Sequence, residues 1–505
     1  MKKITKYIIL SWLALSFTAC DKGFDELNIN STAATAIDPA FILNDAILNT
    51  SFSSSTAIYE MGVVQQIISP NSGVLTGANF NQDNRALLAP LWPQYYQNVI
   101  RSSTDAILQA TEKGDRNNLV QMARIWKAYA FMVLTDTYGD IPYFEAGKGF
   151  TDQVVLPVYD TQEAIYTDII KELTEASAAL SSSGKVESAE VMYGGDVTKW
   201  KRLGYSLLLR AGMRLSNVDA SKAQSVVSAA VAGGLMQSNT DNCVIKHDPN
   251  YQNPTVGMLS STESSNFFIP AAFINQLKST SDPRLKSIAV RYIGAASGNG
   301  QTSDKASINP ADQIGIPMGH DNSSILPIAA ADGLASFYAY SQIDRTRMAK
   351  NTAPGYLVTY AQTQLLLAEA AVKGWVNGSA ETYYKNGIEA HMMQCGDHDA
   401  NSAVDPADIA TFISANPLGT DALKDIGTQY WIASFLNGPE AFANFRRTGY
   451  PTLAPNPFPR KDISGDFINR LTYPNSEISV NGTNIQAAIT RQGPDNLDTK
   501  VWWDK

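Results

Sequence analysis

Few residues in this chain of 505 have types and spacings that suggest chemistry. Of four histidines and three cysteines, His391, Cys395 and His398 fall close together, accompanied by Asp397 and Asp399. His391 and Cys395 are four residues apart and would share one helix face, with His398 just past its end. A structural zinc site wants four ligands in tight geometry, and the same residues make an ordinary helix terminus with polar caps. No metal and no cofactor is therefore expected. Cleavage of a glycosidic bond needs two carboxylates about 5 Å or about 6.5–9.5 Å apart. With 48 acidic residues some pair always fits, so the sequence nominates none. There is no Gly-x-Ser-x-Gly elbow, no His-Glu-x-x-His and no Gly-x-x-x-x-Gly-Lys. No histidine has a recognisable catalytic neighbourhood.

The third cysteine has a different setting. Lys2, Lys3 and Lys6 precede an apolar run from Tyr7 to Phe17, then Thr18, Ala19 and Cys20. The run is as long as the apolar part of a secretory signal and too short to span a bilayer. This order reads as a lipoprotein signal: cleavage before Cys20, then lipid on its thiol and new amino terminus. Several acyl chains bury enough methylene groups for stable attachment, where one would be marginal. Phe17 stands where Leu is commoner, and the alternative is an ordinary secretory signal with Cys20 incidental. Without residues 1–19 the chain carries 36 basic against 48 acidic side chains, a net charge of −12. Cys243 and Cys395 could pair in an oxidising compartment or stay free, and their spacing does not decide.

A hydrophobic fraction of 44% is ordinary for a globular core, while charged residues at 17% fall below the usual ~25%. The polar surface must therefore lean on Asn, Gln, Ser and Thr. This composition argues against a disordered chain, which needs low hydrophobicity and high charge. The acidic balance argues against nucleic acid as a partner, which needs a basic face.

Helical periods dominate. Residues 20–37 read as a lipidated tether, and 38–505 as a single domain. Leu119, Met122, Trp126, Tyr129 and Val133 mark one helix face, stopped at Tyr138-Gly139-Asp140-Ile141-Pro142. Asp160 with Glu163 suggests a capping box for a stripe through Ile165, Ile169, Leu173, Ala176 and Leu180. Asp196 can cap a helix carrying Trp200, Leu203, Leu207, Ala211 and Leu215. An alanine-rich helix follows from about Ser221 to Gly233-Gly234. About 239–354 is rich in Gly, Pro, Asn and Ser and holds one expected helix, Pro270 to about Thr280. Helical patterning returns at Tyr356–Lys373, after Ser379, after Asp405-Pro406 and through Leu423, Ile426, Tyr430 and Ala433. The tail from Pro451 is expected to be irregular. The fold class is all-α: two blocks of helical hairpins flanking a loop-rich insertion. Such pairs stack because one pair cannot bury its own apolar face. With no fixed repeat consensus, an irregular all-α domain is the alternative.

Six segments, in order, carry a family resemblance. They are Arg124 to Tyr129 running to Tyr138-Gly139-Asp140-Ile141-Pro142-Tyr143; Asp196 to Trp200 with Leu207-Leu208-Leu209-Arg210 and Arg214; Asp282-Pro283-Arg284-Leu285; Leu367-Ala368-Glu369-Ala370 with Gly374-Trp375; Phe435 to Glu440 running to Arg446-Arg447-Thr448-Gly449-Tyr450-Pro451; and Arg470 to Pro474 with Glu477, Asn481 and Asn484. The chain resembles the SusD/RagB nutrient-binding lipoproteins of the Bacteroidetes outer membrane over essentially its whole mature length. It departs at Phe442 and Asn444, where relatives often carry Trp and Asp, at Tyr205, where Asn is common, and at His391, which replaces a small residue. These look like packing variations.

The resemblance implies tetratricopeptide-like helix pairs as a scaffold and a loop-rich half holding the ligand. It implies a SusC-like TonB-dependent β-barrel transporter as partner, oligosaccharide or sometimes peptide as ligand, and no catalysis. It makes Arg446-Arg447 structural, satisfying helix carboxyl ends and nearby acids. Arg460-Lys461 reads as a solvated pair. Asp21, Asp25 and Glu26 loosely suit an outward-directing signal, so the expected location is the outer membrane, lipid-anchored and facing the exterior.

Sugar recognition needs aromatic faces beside amide and charged groups. Two places fit. One is Asn79-Phe80-Asn81-Gln82-Asp83-Asn84-Arg85, giving Asn79, Phe80, Asn81, Gln82 and Arg85 as candidates. The other is the insertion, giving Tyr251 and Asn253 beside Gln252, then Tyr338 and Tyr340 after Phe337. The alternative is that these aromatics fill a satellite core under long loops. Trp92, Tyr95 and Tyr96 are expected to pack on helices. A surface lipoprotein hydrolase for the same polymers is the second functional reading, and a structural adhesin the third.

Overall fold

Caps written into the sequence set where seven of the helices begin. The computed structural model describes residues 37–505 apart from 53, 72, 150, 262 and 263. Cys20, the expected signal and nearly all of the expected tether lie outside the described residues. Helices α1 (Pro39–Leu48), α2 (Ser54–Val63) and α3 (Gly73–Phe80) come first. A π-helical segment, Tyr95–Ile100, runs into α4 (Arg101–Lys113). The expected long helix is α5 (Asn117–Tyr138), ended by Gly139 at φ 81°. Helix α6 (Gln162–Ala179) is capped by Thr161, whose hydroxyl accepts from the Ala164 amide. Asp160, the expected cap, accepts instead from the amides of Tyr143 and Phe144, so it fixes the turn after α5. Asp196 caps α7 (Val197–Arg214) and Asp219 caps α8 (Ala220–Gly233).

The insertion holds the expected helix as α9 (Ala271–Ser279), a short α10 (Arg284–Ile288) and small strands. Strand β1 (Cys243–Ile245) pairs antiparallel with β5 (Gly355–Val358), setting Cys243 opposite Val358. Strand β2 (Ala289–Tyr292) lies between β3 (Ala306–Ser307) and β4 (Gln342–Ile343). A full capping box, Thr359 with Gln362, opens α11 (Tyr360–Val372). Ser379 caps α12 (Ala380–His398), and Asp405 caps α13 (Pro406–Ala415) with Pro406 at its first position. Helices α14 (Ala422–Ala433) and α15 (Gly438–Thr448) complete the second block. The tail contains α16 (Asn475–Val480) and α17 (Gly482–Gln492), where irregular chain was expected. Only Ile485 and Ala488 of those two helices are buried, too few to write a helical period into the sequence.

Consecutive helices α4 to α8 pack pairwise, as do α11 and α12, while α7 on α11 and α5 on α15 join the two blocks. This is a tetratricopeptide-like scaffold of stacked helix pairs. One large core runs through both blocks, and two satellite clusters lie under the insertion loops. Among the described residues no helix is long and apolar enough to cross a membrane.

The scaffold core is pinned by charges. Arg214 reaches Asp136 of α5 at 3.1 Å and Glu440 of α15 at 2.7 Å, and Arg210 reaches Glu440 at 3.1 Å. Tyr430 donates to Glu440 at 2.7 Å, and Trp503 to Asp136 at 2.9 Å. Burial alone would raise the Glu440 carboxyl; the two guanidiniums outweigh it and hold it below the ordinary carboxylate range. Arg446 donates to the Asp136 carbonyl at 2.6 Å, near the carboxyl end of α5. Arg447 grips Glu369 with two bonds of 2.6 Å.

Candidate functional site

Three segments far apart in sequence meet on the loop half. Ile68 exchanges backbone hydrogen bonds with Phe268 at 2.9 and 2.8 Å, which ties the chain before α3 to the insertion. Asn71 donates to Asn266 at 2.9 Å. At the end of α3, the Asn79 side chain accepts from the Gly319 amide at 2.8 Å and donates to the His320 carbonyl at 2.9 Å. The Asn79 carbonyl accepts from Asn456 at 2.5 Å, so the tail joins the same knot. Phe80 stacks on Phe458 with ring centroids 4.2 Å apart. The Arg460 guanidinium lies 5.7 Å from the Phe458 centroid. Gln82 donates to the Arg460 carbonyl at 3.3 Å.

The result is a platform: a half-exposed ring, Phe458, on a buried ring, Phe80, with the Arg460 guanidinium beside it, Gln82 bonded to the Arg460 backbone and Asp321 within the field of Arg460. Two hydrogen bonds from Ser324 hold the Asp321 carboxyl below its ordinary range, and Arg460 adds to this. Asn81 sits at φ 50°, buried, and its side-chain amide nitrogen has no hydrogen-bond partner among the described residues. A buried donor left open is costly, and an ordered water or a ligand hydroxyl would satisfy it. Arg85 is neutralised by Asp83 at 3.1 Å and Asp495 at 2.5 Å.

The insertion places its own candidates unequally. Tyr338 keeps exposed surface and stacks on Phe337 at 4.3 Å. Beside it, Gln301 donates to the Tyr338 carbonyl at 3.0 Å and accepts from Arg345 at 3.2 Å. Tyr340 is fully buried in the larger satellite cluster, and its hydroxyl donates to Asp332 at 2.6 Å. Burial and that carboxylate push its phenol well above the ordinary range. Tyr251 lies 4.8 Å from the His247 ring and donates to the Leu48 carbonyl, tying the insertion to α1. Asn253 is buried, capping a one-turn helix through the Thr255 amide and donating to the Ala353 carbonyl at 2.9 Å. Among the residues named from sequence, Gln82, Arg85, Tyr251 and Tyr338 keep solvent-facing surface, while Asn79, Phe80, Asn81, Asn253 and Tyr340 are buried. Phe458 and Arg460 enter as new members. An aromatic between Pro457 and Pro459 cannot sit in a helix or inner strand, and that was the available signal.

The histidine cluster has a different use. Arg284 donates to His391 Nδ1 at 3.0 Å, and since a guanidinium only donates, that nitrogen accepts. Burial, then Arg284 and His398, push the His391 ring well below its ordinary range, so it is neutral. His398 bonds the Met348 carbonyl at 3.1 Å, and burial lowers it to about 4. Burial raises the Cys395 thiol to about 12. Cys243 and Cys395 are both free and buried. A permanent cation, Arg284, thus takes the His391 lone pair, and His398 Nδ1 is bonded to a backbone carbonyl.

Comparison with known proteins fits this architecture. Residues 30–474 match the model of the SusD-like_2 family, described as starch-binding and associating with the outer membrane. A solved chitin-binding protein is similar to the chain at 31% identity and a TM-score of 0.82, over 92% of this chain and all of the other. The SusD-like protein of Bacteroidetes AC2a is similar at 25% identity and 0.79, over 93% and 100%. A chitin-binding SusD homologue from Flavobacterium johnsoniae is similar at 24% and 0.73, over 92% and 98%. Curated proteins gave no match. The chain belongs to the SusD-like family, which consists of outer-membrane-associated, carbohydrate-binding proteins without catalytic activity.

Proposed function

We propose that this protein captures oligosaccharides, chitin-type chains among them, on the loop platform. Lipid on Cys20, after removal of residues 1–19, tethers it through residues 20–37 to the outer face of the outer membrane. There it passes ligand to a SusC-like TonB-dependent transporter. The observation that carries the reading is the Phe80–Phe458 stack with the Arg460 guanidinium beside it, Gln82 bonded to the Arg460 backbone and the Asp321 carboxylate in the field of Arg460. A ring with amides and charges at its margin is what a pyranose needs: apolar contact for its C–H face and partners for its hydroxyls. Arg85, Tyr251 and Tyr338 extend the contact surface, and Asn79, Phe80, Asn81, Asn253 and Tyr340 hold its shape. The likeness to the 31%-identical chitin-binding protein supports the ligand class.

Affinity electrophoresis and calorimetry against chitin oligosaccharides, starch, other polysaccharides and peptides test the ligand. Retardation or saturable heat with a glycan is expected, and silence against every glycan would sink the reading. Cys20→Ala is expected to release the protein from the membrane fraction without detergent. Purification of the lipidated form is expected to bring a large barrel protein with it; a barrel never recovered would remove the transporter from the proposal.

A further inference from the structure

Asparagine is thermolabile, and most so before glycine. The backbone nitrogen of the following residue attacks the side-chain amide carbon, and a residue without a Cβ hinders that approach least. Five such pairs lie among the described residues: Asn299-Gly300, Asn377-Gly378, Asn386-Gly387, Asn437-Gly438 and Asn481-Gly482. The fold treats them very differently.

Four are held back. Asn437 is buried; its side chain accepts from the Glu440 amide at 3.3 Å and donates to the Tyr356 and Leu357 carbonyls, each at 3.1 Å. Asn481 is buried too, donating to the Pro157 carbonyl at 2.8 Å and accepting from Asn484 at 2.9 Å. Asn386 lies inside α12, donating to Gln364 at 3.2 Å, and the Gly387 amide belongs to the helical ladder. Asn299 is exposed, but the nitrogen that would attack it, in Gly300, is committed to the Ser297 carbonyl at 3.0 Å. Asn377 differs on every count. It is exposed, and neither its side chain nor the Gly378 amide forms a hydrogen bond among the described residues. Its carbonyl accepts from the Tyr383 hydroxyl at 3.0 Å, in the bend just ahead of Ser379, the cap of α12.

We propose that Asn377 is a site of spontaneous self-modification. The Gly378 nitrogen bonds to Cγ of Asn377 and gives up its proton, the Cγ–Nδ2 bond breaks, and ammonia leaves a cyclic imide. Water then adds to either imide carbonyl, and ring opening yields aspartate or its β-linked isomer. Water is the only co-reactant and nothing is oxidised or reduced. Both products add a negative charge. The β-linked product also lengthens the main chain by one methylene directly before the cap of α12, the helix that carries His391 and His398.

The full folded chain is aged at mildly alkaline pH in water enriched in oxygen-18, returned to ordinary water and digested with trypsin, which puts each pair in its own peptide. The Asn377 peptide is expected to take up one heavy oxygen at least tenfold faster than the other four. Aged in urea, the five should converge, because burial, side-chain bonds and helical amides are gone. Asn377→Gln should abolish uptake in its peptide and leave the circular dichroism unchanged. Equal rates in the folded chain, or a faster rate at any of the other four pairs, would overturn the proposal. So would the same ranking in urea, which would make the rates a property of local sequence rather than of the fold.

Discussion

The scaffold and the loop platform use the same residue types in opposite ways. Arg214 and Arg447 are buried and locked to carboxylates, while Arg460 is exposed and lies along a ring. Asp136 serves Arg214, Tyr166 and Trp503 at once, while Asp321 serves its own turn and the field of Arg460. Inside, each charge has its partners chosen and cannot serve a ligand. Outside, charges and amides keep valences open and depend on loop geometry for their placing. The six segments that carry the family resemblance contribute Arg210, Arg214, Arg284, Glu369, Glu440 and Arg447, all buried. The likeness to relatives therefore reads the frame, and the ligand is written elsewhere.

The contrast breaks first at Glu440. Its carboxylate satisfies Arg210, Arg214 and Tyr430, so Glu440→Ala leaves two buried cations short of a partner. A loss of about 3–5 kcal/mol is expected, because removing one member of a buried pair strands the other. Asp321→Ala, on the platform, should cost within about 0.5 kcal/mol. Urea midpoints of the two variants measure the difference; equal shifts would show that the scaffold charges are not what holds the frame.

Much of that frame was legible because long helices announce themselves twice, by period and by cap. Asp196, Ser379 and Asp405 each cap the helix expected of them, and the stripe from Leu119 to Val133 is buried. Thr161 displaced Asp160 as a cap because the neighbouring turn already claimed Asp160. The platform was legible only as a segment. The run from Asn79 to Arg85 does lie at the convergence of loops, yet which of its side chains turn inward has no periodicity to reveal it. Phe458 escaped notice because its meaning depends on Phe80, in a distant segment. Short helices α16 and α17 bury too little to leave a pattern.

The pH dependence sharpens the comparison next, since both signs arise in the scaffold. Glu60 is fully buried, its carboxyl bonded by Thr137 at 3.1 Å and raised by burial to about 8. Unfolded, it titrates near ~4.3. The folded state thus holds the proton over that window, and stability falls as pH rises from about 4.3 to 8, by at most ~1.4 kcal/mol per pH unit. His391 and His398 act oppositely: their folded values are lowered, so stability falls as pH drops below about 6.5. Urea midpoints across pH 5–8 should fall less steeply on the alkaline side in Glu60→Gln than in the parent. Parallel profiles would mean that Glu60 is charged inside the fold.

On the platform the expected effects move from stability to binding. Phe458→Ala removes the ring that Phe80 supports, and a glycan that the parent binds should be held about tenfold less tightly, or ~1.4 kcal/mol. Its cost to folding should be about 1 kcal/mol, the scale of an aromatic pair. Affinity electrophoresis reads the first and urea unfolding the second; a stability loss with unchanged affinity would move the sugar contact away from this ring.

Arg460 gives the smallest and most discriminating effect. It lies over the same ring that a sugar would cover, while its carbonyl accepts from Gln82. If the guanidinium only shields Phe458 from water, Arg460→Ala bares the ring and affinity rises. If it bonds ligand hydroxyls at the ring's edge, affinity falls. Its exposure and its influence on the Asp321 carboxyl place its charge among the polar groups of the platform, which favours the second case. A loss of about threefold is expected, the scale of one solvent-exposed hydrogen bond at ~0.6 kcal/mol. Arg460→Lys, which keeps the charge but not the planar fork, should recover only part of it. A gain in affinity on Arg460→Ala would make the arginine a cover for the site rather than a contact within it.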